Sequence, residues 1–145
     1  MEVSNLTQKM FELPYQFAVP DILYYEELEE EHENLIEYGL IMKTLSSESI
    51  SYVDETLYKY QKIGFYDKLA LATAKQESCP LVTGDGALKK AGQKEAVVIF
   101  DTVWLMDELI SHSIISVDEA KEAYALMKIS GRRLPWKIID ERLRF

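Results

Sequence analysis

The sequence is short of several things, and each shortage excludes a class of protein. It holds one cysteine, Cys79, so no internal disulfide can form. A lone thiol beside Pro80, ahead of an apolar run, reads as a core group in a reducing cytoplasm. There are two histidines, His32 inside a glutamate run and His112 near a helix end. Neither has ligand spacing to Cys79 or to the other, so a zinc site is not expected. No apolar run approaches the roughly 20 residues of a membrane span, and no basic start precedes an apolar signal region. The expectation is a cytoplasmic protein that does not engage a membrane. The chain also lacks a G-x-x-x-x-G-K-[ST] loop, a G-x-G-x-x-G fingerprint and a G-x-S-x-G elbow. Basic residues are the last scarcity: 16 Lys and Arg face 25 Asp and Glu, a formal net charge of −9. Proteins that hold nucleic acid by neutralising phosphates usually show a basic face. Here the bases are local, Lys89, Lys90 and Lys94 in one group and Arg132, Arg133, Lys137, Arg142 and Arg144 in another. A nucleic-acid role therefore needs metal ions or a basic partner.

What is present suits one globular domain. The 145 residues are 48% hydrophobic and 28% charged, enough to bury a sizeable core. Val3, Leu6, Met10 and Leu13 stand at helical spacing before Pro14. Gln16–Pro20 reads as a short strand, with Asp21 as N-cap of a helix to about Tyr38, closed by Gly39. Tyr24, Leu28 and Leu35 mark its buried stripe, while Glu26, Glu27, Glu29, Glu30, Glu31 and Glu33 crowd the remainder, most of them as a solvated face. Leu40–Leu45 is a further strand. Ser46 and Ser47 open a helix carrying Ile50, Val53, Leu57 and Tyr60 towards Gly64. After the central stretch come a helix Val103–Ile110 capped by Asp101 or Thr102, a capping box Ser116–Glu119, a stop at Gly131 and a last helix from Pro135.

The chain is organised around Phe65–Thr102. Asp67 opens a helix whose Leu69, Ala70, Leu71, Ala72 and Ala74 suit it to lie on a sheet. Pro80–Thr83 is a short apolar run, as for a strand buried on both faces, and Gly84-Asp85-Gly86 breaks it. A short helix and a second β-branched run, Val97–Phe100, follow. Strand, helix and strand in this order imply a crossover and a parallel sheet, and the whole pattern an α/β fold. In such folds ligands gather at the carboxyl ends of the strands, where the next helices begin. Asp67 and Asp85 therefore fall on one rim, and Glu26 or Glu27 can project towards them. Taken singly, Asp67 suits a helix start, Asp85 a turn, and Asp101 an N-cap. Together, carboxylates on one rim repel one another unless a cation neutralises them. Mg²⁺ or Mn²⁺ held by carboxylates and waters suits phosphodiester hydrolysis, with Thr83 placed to orient a water. Tyr52, Tyr58, Tyr60 and Tyr66 are spaced for helix packing more than for stacking on bases.

Asp67-Lys-Leu-Ala-Leu-Ala-Thr-Ala-Lys followed by Pro80-Leu-Val-Thr-Gly-Asp-Gly-Ala-Leu-Lys-Lys-Ala resembles the second half of PIN-domain nucleases, which include VapC-like ribonuclease toxins. Val19-Pro20 followed by Glu26-Glu27-Leu28 is similar to that family's glutamate-bearing helix. The resemblance covers roughly Phe17 to Thr102, with Thr83-Gly84-Asp85 its most specific part. It implies a PIN-like three-layer fold, a mainly parallel central sheet flanked by helices, over residues 1–145 as a single domain. It implies a Mg²⁺- or Mn²⁺-dependent endoribonuclease with Glu27, Asp67 and Asp85 as metal ligands and Thr83 as polar helper. RNA is then the substrate, Lys89 and Lys90 meet its phosphates, an antitoxin is a partner and a homo-oligomer is expected. PIN domains open with a central strand ending in Asp-x-Asn or Asp-x-Ser, which no segment here supplies, so the first strand and first acid are expected to be missing. The competing expectation is a non-catalytic PIN-like module that engages an antitoxin or a sister subunit. A receiver-like signalling domain ranks last, since neither its acidic pair after the first strand nor its phosphoacceptor aspartate can be placed.

Overall fold

A computed structural model describes residues 6–32 and 34–143, which divide between a unit within 16–100 and a unit of residues 6–15 with 101–143. Val3, Glu33 and Arg144 lie outside the described residues.

In the first unit β1 (Ala18–Pro20) runs directly into a helical stretch: α2 (Asp21–Leu23), a π-helical turn (Tyr24–Leu28), α3 (Glu29–His32) and α4 (Asn34–Tyr38). The cap position falls on Pro20, so Asp21 is the first helical residue rather than the expected N-cap. Its carboxylate accepts the Ile22 N–H at 2.8 Å and the Thr44 hydroxyl at 2.9 Å. That second bond ties the chain leaving β1 to the chain leaving β2 (Ile41–Lys43). Gly39, at φ +115, makes the left-handed turn between helix and strand that other residues resist. β1 and β2 pair in parallel, Ala18 with Ile41 and Val19 with Met42, and the Ile41 N–H extends the ladder to the Phe17 carbonyl at 2.9 Å.

α5 (Ser47–Glu55) starts where Ser46 accepts the Ser49 N–H at 3.2 Å, and stops short of Gly64 in a 3-10 turn, Leu57–Lys59. Ile50, expected on its buried stripe, is 46% exposed. The inward face runs through Ser49, Val53 and Leu57, four residues apart, because Ser49 donates to Gln76 at 2.6 Å. Ile50 is turned about 100° away by helix geometry.

α6 (Phe65–Glu77) is the element the rest packs on, touching α5, β1 and β3 (Leu81–Val82). Leu69, Leu71, Ala72 and Ala74 are buried as the sequence suggests, in one cluster with Val53, Leu57 and Ile63. α7 (Gly86–Lys94) also meets α6 and lies against β4 (Ile99–Phe100). β3 and β4 pair in parallel, Leu81 with Ile99. The Leu81 and Thr83 N–H groups donate to Val98 and Phe100 carbonyls, each at 2.9 Å. Leu88, Ala91 and Val97 are buried in the same cluster, with Leu81 and Ile99 against it.

Three expectations change here. Pro80–Thr83 was expected to be buried on both faces, yet Val82 is 37% exposed, because successive side chains alternate and only the Leu81 side meets the helices. One central sheet was expected, and the described residues form two separate two-stranded sheets, β1–β2 and β3–β4. Cys79 was expected in the core; it is exposed, because it falls in the turn after α6 rather than in β3.

Glu95, just past α7, gathers contacts no local pattern announces. It accepts the hydroxyls of Tyr52 and Tyr60, each at 2.5 Å, with the Lys59 ammonium 3.5 Å away. Its main-chain carbonyl accepts Lys75 at 2.7 Å. Burial opposes the charge, but the two hydroxyl donors and Lys59 hold the Glu95 carboxyl below its ordinary range.

In the second unit α1 (Thr7–Met10) packs on α8 (Thr102–Ser111), and α8 on α9 (Val117–Ile129). α10 (Trp136–Leu143) follows. Asp101 caps α8 by accepting the Trp104 N–H at 3.0 Å, and Ser116 with Glu119 closes a capping box on α9. Met106, Leu109, Ala120 and Ile139 are buried, Lys9 pairs with Glu119 at 2.8 Å and Arg142 pairs with Asp107. Among the described residues no helix is long and apolar enough to cross a membrane.

Candidate functional site

A cavity of about 350 Å³ opens at the start of α6 in the first unit, lined by Leu23, Glu27, Gly64, Phe65, Tyr66 and Asp67. Two of the three sequence-predicted acids, Glu27 and Asp67, therefore share one cavity although forty positions separate them in the chain.

The local backbone explains how they meet. Tyr24–Leu28 is a π-helical turn in which the Glu29 N–H reaches back to the Tyr24 carbonyl. Such widened turns are often found at functional sites, and this one carries two consecutive glutamates to the first turn of α6. Glu26 accepts the Tyr66 hydroxyl, and Glu27 faces the cavity. The two glutamates left open in the sequence have different surroundings: Glu26 is held by a tyrosine, and Glu27 lines the cavity that Asp67 also lines. The hydrogen bond to Glu26, with burial and the charges of Glu26 and Glu27, pushes the Tyr66 hydroxyl up to about 12, so Tyr66 stays a donor.

Burial and then the charge of Asp85 push the Asp67 carboxyl above its usual range. Asp85 is thus near enough for its charge to act on Asp67, but it does not line the cavity. It caps α7, one carboxylate oxygen accepting the Leu88 N–H at 2.8 Å. Its own N–H donates to the Thr83 hydroxyl oxygen at 3.1 Å, which makes Thr83 a turn-former here. Lys89 is half-buried and Lys90 exposed in the helix that Asp85 caps. Among the described residues no three His, Cys, Asp or Glu side chains stand close enough to hold a metal ion as a group.

Sequence reasoning missed Leu23, Gly64 and Phe65 as parts of the site. The available signal was the aromatic pair Phe65-Tyr66 placed immediately before Asp67. Of the other tyrosines, Tyr52 and Tyr60 are committed to Glu95, whereas Tyr58 is 65% exposed.

Compared with family models, curated proteins and solved structures, the chain matches none.

Proposed function

We propose that the protein is a metal-dependent endoribonuclease of PIN type, the toxin of a toxin–antitoxin pair, built on a PIN-like three-layer arrangement. The observation that carries the reading is the shared cavity: Glu27 and Asp67 line it together, and the charge of Asp85 bears on Asp67. The donor set fits Mg²⁺ or Mn²⁺, since carboxylate oxygens are hard ligands and repel one another until a cation is present. When bound, the ion supplies a Lewis acid and an activated water. Glu27 and Asp67 would hold it, with Asp85 as third ligand from the turn after β3. Thr83 fixes that turn by accepting the Asp85 N–H. Lys89 and Lys90 offer positive charge to RNA phosphates beside an acidic site. A homo-oligomer and an antitoxin complex belong to the same reading, and the short open-edged sheets offer strands to pair with.

A second reading has one observation in its favour: Asp85 is engaged as a helix cap. It makes the protein a non-catalytic module that binds an antitoxin or a sister subunit. Titration calorimetry with Mn²⁺ and cleavage of a labelled RNA pool separate the two. The nuclease reading expects Mn²⁺ binding, a raised melting temperature by mass action, and cleavage abolished in Glu27→Gln and Asp67→Asn. Absence of Mn²⁺ binding at millimolar concentrations sinks it.

A further inference from the structure

Phe65 is 54% exposed as the first residue of α6, an expensive place for a ring with no polar atom. Its neighbour Tyr66 packs against the buried core, whereas Phe65 does not. The Tyr66 ring stands 5.7 Å away at 59°, a tilted contact that steadies Phe65 without lying flat on it. Phe65 lines the same cavity as Glu27 and Asp67. On its other side Gly64 leaves the lip open: a Cβ there would meet nothing within 4 Å. An exposed aromatic ring, an open lip and an acidic cavity are thus contiguous over four residues of chain.

Resting on the nuclease reading above, we propose that Phe65 is the stacking platform for one unpaired nucleobase of the RNA strand held at this site. A base in a duplex has both faces covered by its neighbours and cannot lie on a side-chain ring; an unpaired base can. A cavity of about 350 Å³ is at the small end of ligand sites and suits one base with its sugar rather than a base pair. Stacking is indifferent to base identity because every base has a π-face, so Phe65 selects for strandedness and not for sequence. Because Phe65, Glu27 and Asp67 line one cavity, a base on Phe65 lies next to the acids proposed to act on the phosphate.

The test uses a short RNA carrying 2-aminopurine and cleavage-resistant phosphorothioate linkages, free and annealed to its complement, titrated with the full chain in Mn²⁺ and in EDTA. The expected result is quenching of the single strand in Mn²⁺ and none of the duplex. Phe65→Ala should weaken binding about tenfold and abolish the quench, while Phe65→Tyr retains both. Gly64→Leu, which adds bulk at the lip where neighbours leave space, should also block it. Phe65 is exposed, so its variants fold; matched melting temperatures check this. Quenching that persists in Phe65→Ala, or a duplex that quenches as well as the single strand, overturns the platform, as does a wild-type chain that never quenches. Quenching that needs Phe65 but ignores Mn²⁺ and Asp67→Asn leaves the platform standing and overturns the metal reading instead.

Discussion

Burial and the nearby charge of Asp85 both work against the ionised form of Asp67. A carboxyl raised in the folded state contributes stability below its unfolded pKa of about 3.9, and that contribution is lost as pH rises through the folded value. Asp67→Asn should therefore melt higher than wild type at pH 7, with the gain fading as pH falls towards 4. Melting curves across pH check it, and a variant less stable than wild type at neutral pH would contradict the strain assigned to Asp67. A proposed catalytic acid that destabilises its own fold fits a site arranged for chemistry. Gly92 shows the opposite constraint. A Cβ at this position would sit 2.5 Å from Ile99 Cδ1 and 3.1 Å from Ile99 Cγ1. Gly92→Ala gains about 1 kcal/mol of helix propensity but loses about 1–3 kcal/mol to overpacking. The expected net is a loss of about 1 kcal/mol. In an Ile99→Val background, which removes Cδ1 and leaves the 3.1 Å contact to Cγ1, the same change should cost less; denaturant melts of the four proteins decide it.

Among elements, α7 is the one in which structural and chemical roles can be pulled apart. Its cap is the Asp85 carboxylate on the Leu88 N–H, and asparagine caps as well as aspartate does. Asp85→Ala should cost about 1 kcal/mol, Asp85→Asn almost nothing. If Asp85 also serves an ion, both variants lose the Mn²⁺ response although only one loses stability. Equal Mn²⁺ responses in wild type and Asp85→Asn would confine Asp85 to capping. α6 has its own division of labour. Its first turn supplies Phe65, Tyr66 and Asp67 to the cavity, and its later turns supply Leu69, Leu71, Ala72 and Ala74 to the core. The π-helical turn matters for the same reason, since it aims two adjacent glutamates at different partners.

For the whole molecule, the net charge of −9 opposes RNA at long range, although at physiological salt the field is screened beyond about 8 Å. In the nuclease reading proposed above, RNA binding would depend on local positive charge, from an ion and from Lys89 and Lys90. Lys89→Glu with Lys90→Glu should lower the slope of log affinity against log salt by about 1.4, at about 0.7 per phosphate contact on a single strand. Filter binding at several salt concentrations measures it, and an unchanged slope would return both lysines to the solvent. The two sheets, of two and three residues per strand, are too short to be stable by themselves. They persist because both lean on α6.

What the sequence determined alone is what neighbours in the chain decide. Ser46, Asp101 and Ser116 each cap a helix through an N–H three residues on, so a local reading finds them, whereas Asp85, read as a turn residue, caps α7 in the same way. The α/β class and the parallel pairing follow from the order of the elements, and the buried side of α6 from its run of small apolar residues. The tertiary structure decided whatever depends on distant partners. Tyr66 and Glu26 are 40 positions apart, as are Asp67 and Glu27, which line one cavity. Tyr52 and Tyr60 reach Glu95 from 43 and 35 positions away. Whether four short strands join in one sheet or stay as two pairs rests on backbone hydrogen bonds between segments far apart in the chain. Apolar runs of similar composition can make either arrangement, because alternation specifies a strand's faces and leaves its neighbour unspecified.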